Sequence, residues 1–165
     1  MIKDVEMLDR MRCIVKLYDR LSARVCEKWK INRTEMDVLA FLNNHPEFDA
    51  ARDIVEIRML PKANVSLAVE SLIQKGYLDR RIDERDRRRV HLSITREAAG
   101  IVQAIEDMQN YERDVRMRGF SEEEQKLYGR MMQRICENAR EELERLQKQS
   151  GEMRADRARP EGEKG

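Results

Sequence analysis

Residues 61–95 read PKANVSLAVESLIQKGYLDRRIDERDRRRVHLSIT, and the period of the apolar positions changes inside this stretch. From Lys62 to Lys75 the apolar residues Val65, Ala68, Val69 and Leu72 fall three or four apart, the spacing of a helix packed along one face. Pro61 stands where the first helical position belongs, and Gly76 where a left-handed C-cap is favoured. After Gly76 the period drops to two. Leu78, Arg80 and Ile82 alternate with Tyr77, Asp79 and Arg81, and later Val90, Leu92 and Ile94 alternate with His91 and Ser93. These are two strands of a hairpin. The connection from Asp83 to Arg89 holds no apolar residue and is expected as a solvent-exposed loop.

Working outward toward the N-terminus, Ala51 to Ile57 reads as a short helix with Ile54, Val55 and Ile57 inward. Before it, Thr34 is expected as an N-cap with Asp37 as its capping-box partner, opening a helix rich in Met36, Val38, Leu39, Phe41 and Leu42 that ends at Asn43-Asn44-His45-Pro46. The first helix runs from Met7 to Trp29 with a continuous stripe of Leu8, Met11, Ile14, Val15, Tyr18, Leu21, Val25 and Trp29. Toward the C-terminus, Thr95 is expected to cap a fifth helix carrying Ala98, Ile101, Val102, Ile105, Met108 and Val115. Gly119 breaks that helix, Ser121 and Glu124 have capping-box spacing, and Leu127, Met131, Ile135, Ala139, Leu143 and Leu146 mark a sixth. Beyond Ser150 the composition predicts a disordered charged tail, residues 150–165.

The chain has 165 residues, enough for one domain to bury a core without disulfides or metals. Charged residues make up 39% of it and aromatics 5%, which favours long amphipathic helices and a mainly α fold. No stretch is apolar over the length needed to span a bilayer, and the opening residues do not resemble a signal peptide, so a cytoplasmic protein is expected. Cys13, Cys26 and Cys136 are too far apart for a metal knuckle or a disulfide framework, and His45 and His91 have no ligand spacing. No cofactor or metal is expected. Without a phosphate-binding glycine loop or a paired catalytic motif, an enzyme is not expected either.

The net charge of +1 says nothing of a nucleic-acid partner, but its distribution does. Between Pro61 and Leu92, Lys62, Lys75, Arg80, Arg81, Arg85, Arg87, Arg88 and Arg89 outnumber Glu70, Asp79, Asp83, Glu84 and Asp86. An arginine-tipped hairpin directly after a cluster of helices is the winged helix-turn-helix plan, in which one helix enters the major groove and the wing reaches the backbone or minor groove. Short polar residues let the helix backbone approach the bases. Asn64 suits adenine, Ser66 suits either strand, Lys62 suits a phosphate, and Ala63 and Leu67 complete the face. The competing reading is a winged-helix protein-interaction module without sequence-specific DNA binding, its charged loop merely solvated.

The order of elements and several motifs resemble the MarR-type transcription regulators, across roughly Met7 to Leu146. The wing carries Asp83, Asp86, Arg87, Arg88 and Thr95 at the family's places, and Lys62-Ala63-Asn64-Val65-Ser66 with Leu72 and Gly76-Tyr77-Leu78 is similar to the family's recognition helix and its exit. The resemblance implies a triangular homodimer whose first, fifth and sixth helices interlock. Residues 1–33 and 95–149 would then form the dimerisation helices and 34–94 the DNA-binding region. It further implies double-stranded DNA with a pseudo-palindromic operator as partner, a wing arginine, Arg88, in the minor groove oriented by Asp86, with Arg85 and Arg87 beside it, and a repressor released by a small aromatic or phenolic ligand. Three positions depart from the family pattern: Leu67 replaces a basic residue, Glu84 a proline and Ala98 a glycine. Cys13 lies on the first helix, as in the family's peroxide-sensing branch, but without that branch's tyrosine arrangement.

Overall fold

The computed structural model describes the backbone of residues 4–83 and 90–157. In chain order it contains α1 (Asp4–Trp29), α2 (Arg33–Asn44), α3 (Ala51–Arg58), α4 (Lys62–Gln74), β1 (Leu78–Ile82), β2 (Val90–Ile94), a single 3-10 turn (Arg96–Ala98), α5 (Ala99–Arg116) and α6 (Glu122–Arg157). The strands pair antiparallel, with Leu78 opposite Ile94 and Ile82 opposite Val90. The mainly α winged helix-turn-helix fold with long terminal helices is therefore the one observed. After Arg116 the described chain passes into a second unit, which holds α6.

In the first unit the core is built where the helical periodicity places it. Met36, Leu39 and Phe41 of α2, Ile54 of α3, and Val65, Ala68, Val69 and Leu72 of α4 are buried with Leu78 and Leu92 of the wing and Ile101, Ile105 and Met108 of α5. The stripe of α1 divides. Val25 is buried, and Tyr18, Leu21 and Trp29 pack against this core, whereas Met7, Leu8, Met11, Ile14 and Val15 are exposed. Where α1 meets α5, a Cβ on Gly100 would lie 2.7 Å from the Trp29 ring, so a larger residue there would force the ring to move. In the second unit the α6 residues Leu127, Met131, Ile135, Leu143 and Leu146 are likewise exposed.

Several local expectations are corrected. The N-cap of α2 is Asn32, not Thr34: the Glu35 N–H donates to Asn32 Oδ1 at 2.9 Å, and the Asn32 N–H donates to Glu35 Oε2 at 2.7 Å. The chain leaves α1 through Lys30 in a left-handed conformation (φ 53°), which fixes the entry of α2 two residues earlier than the Thr34 spacing predicts. Asp37 instead accepts from Arg33 and Arg58. Pro61 is the N-cap of α4 and not its first turn. Thr95 makes no side-chain cap; its hydroxyl donates to the Gly76 carbonyl at 2.7 Å. The Ser121–Glu124 capping box is present, and Gly119 has a positive φ of 85°. Helix α6 continues through Arg157, into the stretch expected as a disordered tail. Residues 158–165 lie outside those described.

Candidate nucleic-acid interface

Helix α4 is held from behind and at its end. Its inward residues Val65, Ala68, Val69 and Leu72 are all buried. At its C-terminus the Tyr77 N–H donates to the Leu72 carbonyl and the Gly76 N–H to the Ile73 carbonyl, both at 2.9 Å, while Gly76 takes φ 74°. That is a Schellman close, and it turns the chain directly into β1. Lys75, just past the last helical residue, reaches Glu35 at 2.8 Å and so ties the exit of α4 to the start of α2. Glu35 is only 1% exposed. Burial alone would raise its carboxyl, but the hydrogen bonds from Lys75 and Ser71 and from the Asn32 N–H outweigh that and hold it below its ordinary value.

With α4 fixed in this way, Lys62, Ala63, Asn64, Ser66 and Leu67 share the exposed side. The structure brings together every helix residue singled out from the sequence. Leu67 is 72% exposed, the most of any large apolar side chain among the described residues. The same side carries Glu70, which Arg80 of β1 engages in an ion pair, so the wing strand is attached to the outer flank of the helix and its acidic charge is neutralised there. An open cleft of about 810 Å³ separates the start of α3 from α4 and the wing, lined by Arg52, Ser66, Val69, Glu70, Arg80 and Val90.

The wing base is anchored more firmly than its sequence indicates. The Leu92 N–H donates to the Asp49 carbonyl at 2.7 Å and the Thr95 N–H to the Tyr77 carbonyl at 3.1 Å. His91 lies between two carboxylates, with Nδ1 2.7 Å from Asp49 Oδ2 and Nε2 3.0 Å from Asp83 Oδ2. Ionised carboxylates only accept, so both bonds require both ring nitrogens to carry protons. These contacts with Asp83 and Asp49 hold the imidazole above its ordinary value. Asp83, expected as part of an exposed loop, is half-buried. Nothing in the period-two pattern marks His91 or Asp49 as partners, because they meet through a loop forty-two residues away. The wing-tip residues Arg85, Asp86, Arg87 and Arg88 lie outside those described, as do Glu84 and Arg89.

The match to known proteins falls on these same elements. A family model described as MarR family matches residues 29–89, from the end of α1 into the wing. The HTH-type transcriptional regulator PecS of Dickeya dadantii is 31% identical over 129 residues, which span 74% of this chain and 77% of PecS. This chain belongs to the MarR family. It is accordingly a transcription regulator and not an enzyme. Solved MarR structures share the fold. A MarR family regulator from Listeria monocytogenes complexed with DNA superposes with a TM-score of 0.77 at 18% identity, over 89% of this chain and 96% of that one. The S. aureus MepR–DNA complex gives 0.65 at 19% identity, over 80% and 94%. Helices α2 to α4 and strand β1 all lie within the matched residues.

Proposed function

We propose that this regulator binds a pseudo-palindromic double-stranded DNA operator as a homodimer, in the cytoplasm, and represses transcription until a small aromatic or phenolic ligand releases it. The observation that carries this reading is the exposed side of α4: Lys62, Ala63, Asn64, Ser66 and Leu67 stand clear of a helix whose opposite side is wholly core. Such a face offers a phosphate-seeking cation, an amide suited to adenine and small residues that admit the backbone to the groove. Arg88, oriented by Asp86, is assigned to the minor groove, with Arg85 and Arg87 at the adjoining backbone.

Residues 34–94 serve as the reading region, and residues 1–33 and 95–149 as the dimerisation helices. The exposed apolar stripes of α1 and of α6 support this division, since patches of that length on a single chain call for a partner surface. Gel shifts with the DNA upstream of its own gene test the proposal. A discrete complex that resists unrelated competitor DNA is the expected result, and binding indifferent to sequence, or none, would favour a protein-interaction module instead.

A further inference from the structure

Leu67 is an exposed apolar residue flanked by polar ones, and among the described residues it takes no part in the core. At about 3.6 residues per turn, the buried Val65, Ala68, Val69 and Leu72 define one side of α4. Ala63 and Leu67 then point directly away from the core, with Asn64 to one side and Ser66 to the other. One turn further on, Glu70 is drawn to Arg80, which withdraws its carboxylate from the same face. The part of α4 that projects furthest is therefore an Ala63–Leu67 ridge, uncharged and without a hydrogen-bonding group. In the major groove the largest apolar feature on a base edge is the C5-methyl group of thymine; purine edges present donors and acceptors that leucine would leave unpaired, and cytosine lacks the methyl.

Resting on the DNA-reading role proposed above, we infer that Leu67 is a specificity residue that reads a thymine methyl in each half-site. It selects thymine by apolar contact, where a basic side chain would select guanine. The contact is uncharged, so it adds discrimination without adding to the salt dependence. Burying one methyl group is worth about fourfold in affinity at the usual transfer free energy.

The test uses the full-length protein and duplexes it enriches from a randomised pool. Each thymine in the enriched site is replaced in turn by deoxyuridine, which lacks only the methyl, and affinity is measured for the wild type and for Leu67→Ala. The expected result is one symmetry-related thymine position at which uracil weakens the wild type about fourfold per half-site, while Leu67→Ala binds both duplexes equally. Cytosine at that position should be rejected by the wild type and partly restored by 5-methylcytosine. Leu67→Arg, which keeps the helix exposed in the same way, should move the preference there from thymine to guanine. An enriched site with no uracil-sensitive thymine, or one whose uracil penalty persists in Leu67→Ala, overturns this inference and leaves the DNA-reading role standing. Failure to enrich any sequence overturns that role and the inference together.

Discussion

Asp49 grips His91 and its strand at once: its carboxylate lies 2.7 Å from His91 Nδ1, and its carbonyl accepts the N–H of Leu92, the next residue along β2, also at 2.7 Å. The loop before α3 thus fixes the root of the wing. With Asp83 on the other ring nitrogen, the charged imidazolium is the form the site favours, and its pKa is raised, first by Asp83 and then by Asp49. Arg81 is the cation paired opposite His91 in the sheet, on a strand that also carries Arg80. A raised pKa means that the stabilisation is fully present below the ordinary imidazole value of about 6.5 and is lost as pH climbs through the folded value. An NMR titration of the His91 ring should show a midpoint above about 6.5 that Asp49→Asn lowers. DNA affinity should decline over the same pH interval, as a positive charge leaves the wing root. A midpoint at or below the ordinary value would contradict this account.

The Lys75–Glu35 contact carries a second prediction. Lys75→Met leaves Glu35, at 1% exposure, with a buried negative charge that only Ser71 and the Asn32 N–H then offset. Lys75 itself is partly exposed, so the loss should be about 2–3 kcal/mol, below that of a wholly buried pair. Equilibrium urea unfolding measures it, and Glu35→Gln combined with Lys75→Met should recover part of the loss. Because the Glu35 pKa is lowered, its contribution holds above the unfolded carboxyl value and fades as pH falls through the folded one.

The dimer proposed above rests on the exposed α6 stripe, which gives a third prediction. Met131→Glu together with Ile135→Glu puts two charges on that stripe without breaking the helix. Sedimentation should shift from dimer to monomer, with helical content retained and DNA affinity sharply reduced. An unchanged dimer would place the interface elsewhere.

What the sequence disclosed and what it hid follow from the range of each interaction. Strand and helix periods are local, so α4, the hairpin and the inward set Val65, Ala68, Val69 and Leu72 were legible, as were the Gly76 close and the exposure of Lys62, Asn64, Ser66 and Leu67. The start of α2 was misplaced because Thr34–Asp37 and Asn32–Glu35 offer the same spacing. Only the left-handed exit of α1 at Lys30 decides between them. Thr95 was read as a cap because its type and place suit one, yet a carbonyl brought back by the turn at Gly76 takes its hydroxyl. The Asp49–His91–Asp83 anchor had no signal, since a loop and two strands must first be assembled before the three meet. The even stripe along α1 concealed that only its C-terminal part faces the core.

The most direct test of DNA reading by α4 and the wing is affinity on matched and scrambled operator duplexes, at several salt concentrations, for the wild type, Asn64→Ala and Arg88→Ala. Asn64→Ala should cost roughly 1–3 kcal/mol on the matched duplex, far less on the scrambled one, and leave the salt slope unchanged, because it removes a base-edge hydrogen bond and no charge. Arg88→Ala should weaken both duplexes and make the slope shallower by about one counterion per lost phosphate contact. An Asn64→Ala protein that kept its full preference for the matched duplex, or an Arg88→Ala protein with unaltered salt dependence, would contradict the account.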